Sequence, residues 1–440
     1  MFPPEIIESL DNKIGYMMVV KGPPGSGKTT FALELLKRYV DRGIYFSTRT
    51  TTDMLYDQFP WLKDVIDRRR IVEDIPASIS SLLEDEIKFE YTNKVEFAKE
   101  IYDAVDTVDT PAIIVLDSLE GIEGQIGEEG SSSTEMEILN VMRGLKTNAI
   151  IVLERSIQTS IDYLVDGVIT IDEDEIDGRR IREIWINKMR GIRRRQFKYL
   201  MTLDGGRFRS FEPPVSGYHK EFGRFNPIKS NETFFSTGNR NLDGIIGGYL
   251  RGSHVFIDVG EDVNYEDYTL LYGMTVKNFV TNGGSAVVVS PNEFTTSERS
   301  QEERENEIFF MQDKEIIGRD LEELWVESNG KVLEMMKEMK MPILMVNNYN
   351  VIERVLGTDA AKRWMNMTLD ITPRRESFVI DVGKSTSLND ELGSLACTHL
   401  KVKERDGCTI LYGITPKTGI YVMEKKFSDE SSDFDLIPIL

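Results

Sequence analysis

Short apolar runs alternate with longer segments of mixed polarity along the first half of the chain. "YMMVV", "GIYFS", "AIIVLDS", "NAIIVLE" and "DGVITI" have strand length, and the pieces between them have helix length. Such alternation predicts parallel strands joined by helical crossovers. Two further runs, "REIWINKMR" and "FKYLMTLDGG", follow closely enough to be antiparallel neighbours. From 212 to 233 the text "EPPVSGYHKEFGRFNPIKSNET" mixes prolines, glycines and polar residues without either period, and reads as a linker. Beyond it the order of parts repeats, from "STGNRNLDGIIGGYLRGSHVFIDVG" through "GGSAVVVS" and "MPILMVNN" to "THLKVKERDGCTILYGITPKTGIYVM". Two diverged copies of one α/β fold account for this repetition.

The expected division is therefore 1–212 for a first domain, 213–233 for the linker and 234–440 for a second domain. A length of 440 residues suits two cores better than one. The formal net charge of −21 argues against a protein that coats nucleic acid or anionic membrane through its overall field. No apolar run approaches the roughly 20 residues of a membrane span, and the N-terminus has no secretory pattern, so a cytoplasmic protein is expected. Cys397 and Cys408 lack a CxxC spacing and read as buried small residues. His219, His254 and His399 stand apart and form no ligand cluster.

One motif carries specific chemistry. "GPPGSGKTT" matches G-x-x-x-x-G-K-[ST], with Gly22, Pro23, Pro24, Gly25, Ser26, Gly27, Lys28, Thr29 and Thr30 in register between a strand and an amphipathic helix. Its glycines let backbone N–H groups converge on phosphate oxygens, Lys28 neutralises the terminal phosphates, and Thr29 offers a hydroxyl to Mg²⁺. Asp117, which ends "PAIIVLDS", is the expected second metal element. ATP and Mg²⁺ are the cofactors this pair implies.

These residues resemble the RecA-like ATPases of the KaiC and RadA group. "STGNRNLDGIIGG", "VLER" at 152–155 and "KMRG" at 188–191 are similar to segments of that group. "MFPPEI", "KGPPGSGKTTFALELL" and "YFSTRTTTDMLYDQFPWL" look closer still to the archaeal gas-vesicle regulator D family, GvpD. The resemblance implies two tandem RecA-like P-loop domains with mainly parallel central sheets flanked by helices, the second degenerate. It also implies that Lys188 and Arg190, in K-x-R order, reach the γ-phosphate held by a neighbouring subunit. Lys403 and Arg405 repeat that order in the second half. If the halves pack head to tail, they would reach the nucleotide on Lys28.

One departure stands out. KaiC-like ATPases carry glutamates after the second core strand, whereas this chain has Ser47, Thr48 and Arg49. Without a carboxylate to orient water, tight ATP binding with slow or no hydrolysis is expected, with Glu120 and Glu154 as substitutes for the missing group. The second half loses its loop altogether, because Tyr265, Glu266 and Asp267 follow Gly260 where glycine, lysine and threonine should stand. The implied function is a nucleotide-dependent regulator acting through protein partners. A DNA-stimulated ATPase and a self-phosphorylating kinase are the other classes. The run "RGIRRRQFK" resembles the arginine-rich segments of the GvpD family and suits a partner protein, nucleotide phosphates or nucleic acid, the last not favoured by the overall charge. "DEDEID" and "SDESSDFD" read as solvated loops.

Overall fold

A computed structural model describes residues 1–73, 94–108, 112–121, 131–214, 226–290, 308–312, 318–320, 323–324, 326–327, 342–369, 377–428 and 431–440. The chain forms two compact units, Met1–Glu212 and Pro213–Pro438. Among the described residues no helix is long and apolar enough to cross a membrane.

The strands of the first unit are β1 (Met17–Lys21), β2 (Gly43–Ser47), β3 (Ile71–Glu73), β4 (Ile113–Asp117), β5 (Asn148–Leu153), β6 (Gly167–Ile176), β7 (Arg179–Met189), β8 (Lys198–Thr202) and β9 (Arg209–Ser210). They form one sheet in the order β3-β2-β4-β5-β1-β6-β7-β8-β9. All pairings from β3 to β6 are parallel, and β6 to β9 are antiparallel. Burial on both faces explains why the parallel strands read as continuous apolar runs. On one face Met18, Val20, Tyr45, Ile113 and Val115 pack against the helix Lys28–Arg38. On the other, Met17, Val19, Ile44 and Ile114 pack against Ile101 and Leu139, from the helices Lys94–Val105 and Ser131–Gly144. Asn148 ties the entry to β1, accepting from Tyr16 N at 2.9 Å and donating to Leu10 O and Lys13 O at 3.0 Å.

The second unit begins with a small pair, β10 (Phe234–Phe235) and β11 (Tyr249–Leu250), around the helix Arg240–Ile246. The Asn239 side chain accepts from Leu242 N, and Gly247 closes the helix at φ 83°. Then come β12 (His254–Val259), β13 (Ser285–Ser290), β14 (Ile308–Gln312), β15 (Ile343–Asn348), β16 (Ser377–Lys384), β17 (Thr398–Arg405), β18 (Cys408–Thr415), β19 (Tyr421–Ser428) and β20 (Ser431–Pro438). Their order, β14-β13-β15-β16-β12-β17-β18-β19-β20, is that of the first sheet strand for strand. The change from parallel to antiparallel falls at the same place. Two mainly parallel sheets flanked by helices are the fold that the alternating pattern predicts.

Three sequence readings need correction. "DEDEID" is not a loop: Asp172–Ile176 continues β6, opposite β7, and Glu173 pairs with Arg182 at 2.6 Å. Glu173 and Glu175 can extend because their cross-strand neighbours are Arg182 and Arg180. Ser431–Asp435 of "SDESSDFD" likewise lies in β20, while residues 429–430 fall outside the described residues. Cys408 is buried as expected, and burial pushes its thiol up to about 12, but Cys397 is exposed at the turn before β17. His219 and positions 215–225 of the linker lie outside the described residues. Ile228, just after them, is held through its N–H and carbonyl by the Asn278 side chain at 2.7 and 3.1 Å.

Glu353, on the helix Tyr349–Leu356, accepts hydrogen bonds from Thr358, Thr386, Ser387 Oγ and Ser387 N. Burial pushes its carboxyl up, but these donors overrule it and hold the group at about 2, against 4.5 ordinarily. The folded value lies below the unfolded one, so its stabilisation is complete above about pH 4.5 and is lost as the pH falls toward 2. Glu353→Gln is expected to flatten the acid-side decline of the melting temperature across that window. An unchanged slope would refute this assignment.

Candidate functional site

The parallel strands β2, β4, β5 and β1 end side by side, and the residues just beyond them meet at the carboxyl edge of the first sheet. Crevices at this edge are where open α/β sheets bind ligands. After β1 the chain turns through residues 22–27 and enters the helix at Lys28. The turn needs its glycines for different reasons. A Cβ on Gly22 would lie 2.2 Å from Ile171 O, and one on Gly27 would lie 2.6 Å from a Leu203 methyl, with the backbone there at φ 101°.

Lys28 is buried and folds back over the loop, donating to Gly22 O and Pro23 O at 2.8 Å each. Burial pulls its ammonium below the ordinary value, against the upward pull of Glu154, Asp117 and Glu120. From outside the turn, Arg182 on β7 donates to Gly25 O at 3.3 Å and Ser26 O at 3.2 Å. Its partner is Glu173, so the acidic end of β6 secures the arginine that braces the loop. Ser26 Oγ is buried there without a hydrogen-bond partner.

Asp117 stands at the end of β4. Its Oδ2 accepts from Thr29 Oγ1 at 2.7 Å and from Tyr45 OH at 2.6 Å. Burial pushes the carboxyl above the usual range, against the two hydrogen bonds and the charge of Lys28. Gly22–Thr30, Asp117, Glu120 and Glu154 thus lie about Lys28 at this edge.

The "YFSTR" segment has a structural use. Thr48 is 1% exposed; its N–H donates to Asp117 O at 2.9 Å, and its hydroxyl binds Ser118 N and O at 2.9 and 3.0 Å. The Asp117–Ser118 peptide that it holds is cis. Ser47 turns to Thr50. Arg49 reaches Glu154, with Nη1 2.6 Å from Oε1. Glu120 accepts from Glu154 N through Oε1 at 2.9 Å, with Arg155 3.6 Å away, while its buried Oε2 has no hydrogen-bond partner.

Lys188 and Arg190 lie elsewhere. Lys188 donates to Asp162 O and Val165 O at 2.7 Å, and Arg190 to Tyr163 O at 3.1 Å, so both cap the short helix Ile161–Leu164. That helix is fixed in turn to the end of β1 by the buried Lys21–Asp162 ion pair. Lys403 and Arg405 stand on β17 of the second unit; Lys403 lies over the Tyr412 ring at 5.7 Å, and Arg405 lies 3.5 Å from Asp406.

The corresponding corner of the second unit is closed by its own side chains. Only residues 260–264 separate β12 from the helix Tyr265–Thr281, one fewer than in the first unit. Tyr265, not Glu266, opens that helix as Lys28 opens its counterpart. Asp267 is buried and meets both Lys425 from β19 and Thr409 from β18. Asn348 shares the face of Leu344 and Val346, as Asp117 shares that of Val115. Asn347 points the other way, to Asp381 and Trp364.

Sequence reasoning missed Tyr45, Arg182 and the structural use of Thr48. Tyr45 had a signal, since alternation along β2 puts positions 45 and 47 on the face of Asp117. Arg182 had none, because nothing local shows that a β7 arginine meets the loop.

Comparison with known proteins agrees with this geometry. Residues 7–187 match the family model described as the GvpD gas vesicle protein P-loop domain, and residues 224–301 match the one described as GvpD basic region 2. Protein GvpD2 of Halobacterium salinarum is 28% identical over 305 residues, covering 66% of this chain and 62% of its own. Protein GvpD1 of the same organism is 27% identical over 307 residues, covering 67% and 57%. The match thus spans about three fifths of those relatives. Within 224–301 the cations are Arg224, Lys229, Arg240, Arg251, Lys277 and Arg299, outnumbered by acidic residues. The denser basic run of this chain is at 190–198.

The Asp267–Lys425 contact yields a stability test. Removing one member of a buried pair strands the other's charge, so Asp267→Ala is expected to cost about 3 kcal/mol in denaturant unfolding. Adding Lys425→Met should recover most of that loss. No recovery in the double variant would show that the two charges do not depend on each other.

Proposed function

The chain belongs to the GvpD family of gas vesicle proteins, and from that premise we propose that it is a regulator that binds Mg-ATP in its first unit and is read by a protein partner. The observation that carries the reading is the Thr29–Asp117 hydrogen bond beside Lys28. A hydroxyl and a carboxylate 2.7 Å apart, next to an ammonium folded onto its own loop, are the donor set that a magnesium phosphate complex requires. Buried Ser26 Oγ and Glu120 Oε2, each lacking a hydrogen-bond partner, are further polar atoms that a ligand would satisfy.

In this reading Thr29 and Asp117 hold the metal ion, which when bound draws charge from the phosphates. Lys28 exchanges the carbonyls of Gly22 and Pro23 for phosphate oxygens. Arg182 keeps the turn in shape while this happens. Turnover is slow, because Thr48 occupies the place of a water-orienting carboxylate and is committed to Ser118. Of the two substitutes, Glu120 is the better supported, since it has an oxygen without a partner whereas Glu154 is paired with Arg49. Arg193, Arg194 and Arg195 are exposed beside Phe197, itself 63% exposed and 6.0 Å from Trp185. This basic and aromatic surface supports a partner with acidic groups.

Calorimetric titration tests the reading. Lys28→Ala is expected to weaken Mg-ATP binding by at least about tenfold, the scale of one charged hydrogen bond. Asp117→Asn should bind the nucleotide nearly alike with and without Mg²⁺. Wild-type affinity in Lys28→Ala would exclude the site.

A further inference from the structure

Arg49 follows β2 at the carboxyl edge, with its guanidinium on Glu154 and its side chain about half exposed. Glu154 is also the first of three carboxylates that pull on Lys28, ahead of Asp117 and Glu120. Arg49 thus stands one carboxylate away from the ammonium of the loop. The charges of Glu154, Asp117 and Glu120 all act on Lys28, and among the described residues Glu120 Oε2 is buried without a hydrogen-bond partner.

A phosphate chain that reaches Lys28 must approach Glu154, and the two would repel at short range. Arg49, already on Glu154, can offset this by leaving the carboxylate for the phosphate. The exchange is cheap to start, because a half-exposed ion pair contributes little to stability. It is favourable to finish, because a guanidinium fork matches phosphate oxygens. The sheet order β2-β4-β5-β1 places Arg49 on the far side of Asp117 from the loop.

We propose that Arg49 is the residue by which this site distinguishes a nucleoside triphosphate from a diphosphate: its guanidinium moves from Glu154 to the terminal phosphate, leaving Glu154 unpaired. The departure in "YFSTR" is then a replacement, in which a cation that senses the terminal phosphate stands where a water-orienting carboxylate is absent. The proposal rests on the Mg-ATP reading above and goes further by assigning the triphosphate specificity to one side chain.

The test is a calorimetric comparison of the β,γ-imido analogue of ATP with ADP, both with Mg²⁺, on the full chain. The wild type is expected to favour the imido analogue, and Arg49→Ala to lose about tenfold of that preference while holding ADP as before. Glu154→Gln frees the guanidinium and should raise the preference, and that gain should vanish when Arg49→Ala is added; a gain kept in the double variant would come from removing the Glu154 charge alone and would overturn the assignment to Arg49. If both variants keep the wild-type ratio while binding ADP normally, the assignment to Arg49 is overturned and the Mg-ATP reading stands. If the wild type binds neither nucleotide, both fall.

Discussion

A carboxylate partly withdrawn from water at the end of a buried strand must be supplied with donors, and the site is organised around one such group. Asp117 lies at the end of a buried strand, where desolvation opposes its charge, and Tyr45, Thr29 and Lys28 counter that opposition. They come from two elements: Tyr45 from β2, and Thr29 and Lys28 from the helix entered through the glycine turn. Supplying Asp117 therefore fixes the spacing of β2, β4 and the loop at once. Thr48 completes this by holding the backbone just past the carboxylate, which accounts for its burial.

The two units give opposite electrostatic solutions on one strand order. In the first, Lys28 rests on backbone carbonyls that a phosphate can replace without stranding any charge. In the second, Asp267 is matched internally by Lys425 and Thr409, so admitting an anion would mean breaking a buried pair. The second unit thus meets the buried carboxylate at this corner with its own side chains.

Much of this was legible in the chain. The parallel strands were readable because burial on both faces leaves unbroken apolar runs, and "GPPGSGKTT" was readable because a phosphate turn tolerates few substitutes for glycine. The acidic stretch 172–176 misled because charge was taken as a sign of solvated loop. In the folded chain arginines on β7 face it and let it extend. Cys397 misled because free cysteine is usually buried, whereas the turn between the helix Asn389–Leu395 and β17 leaves it at the surface.

By itself the sequence determined the alternation of elements, the repeat, the phosphate turn and the loss of that turn in the second half. All of these depend on neighbours within a few residues, where periodicity and glycine geometry act. Tertiary structure alone decided that Arg182 braces the turn across 156 residues, that Arg49 is held by Glu154 rather than by solvent, and that Asn348 rather than Asn347 stands in the place of Asp117. The physical reason is that an exposed charge can take any partner within reach, and which partner is in reach depends on strand order and register.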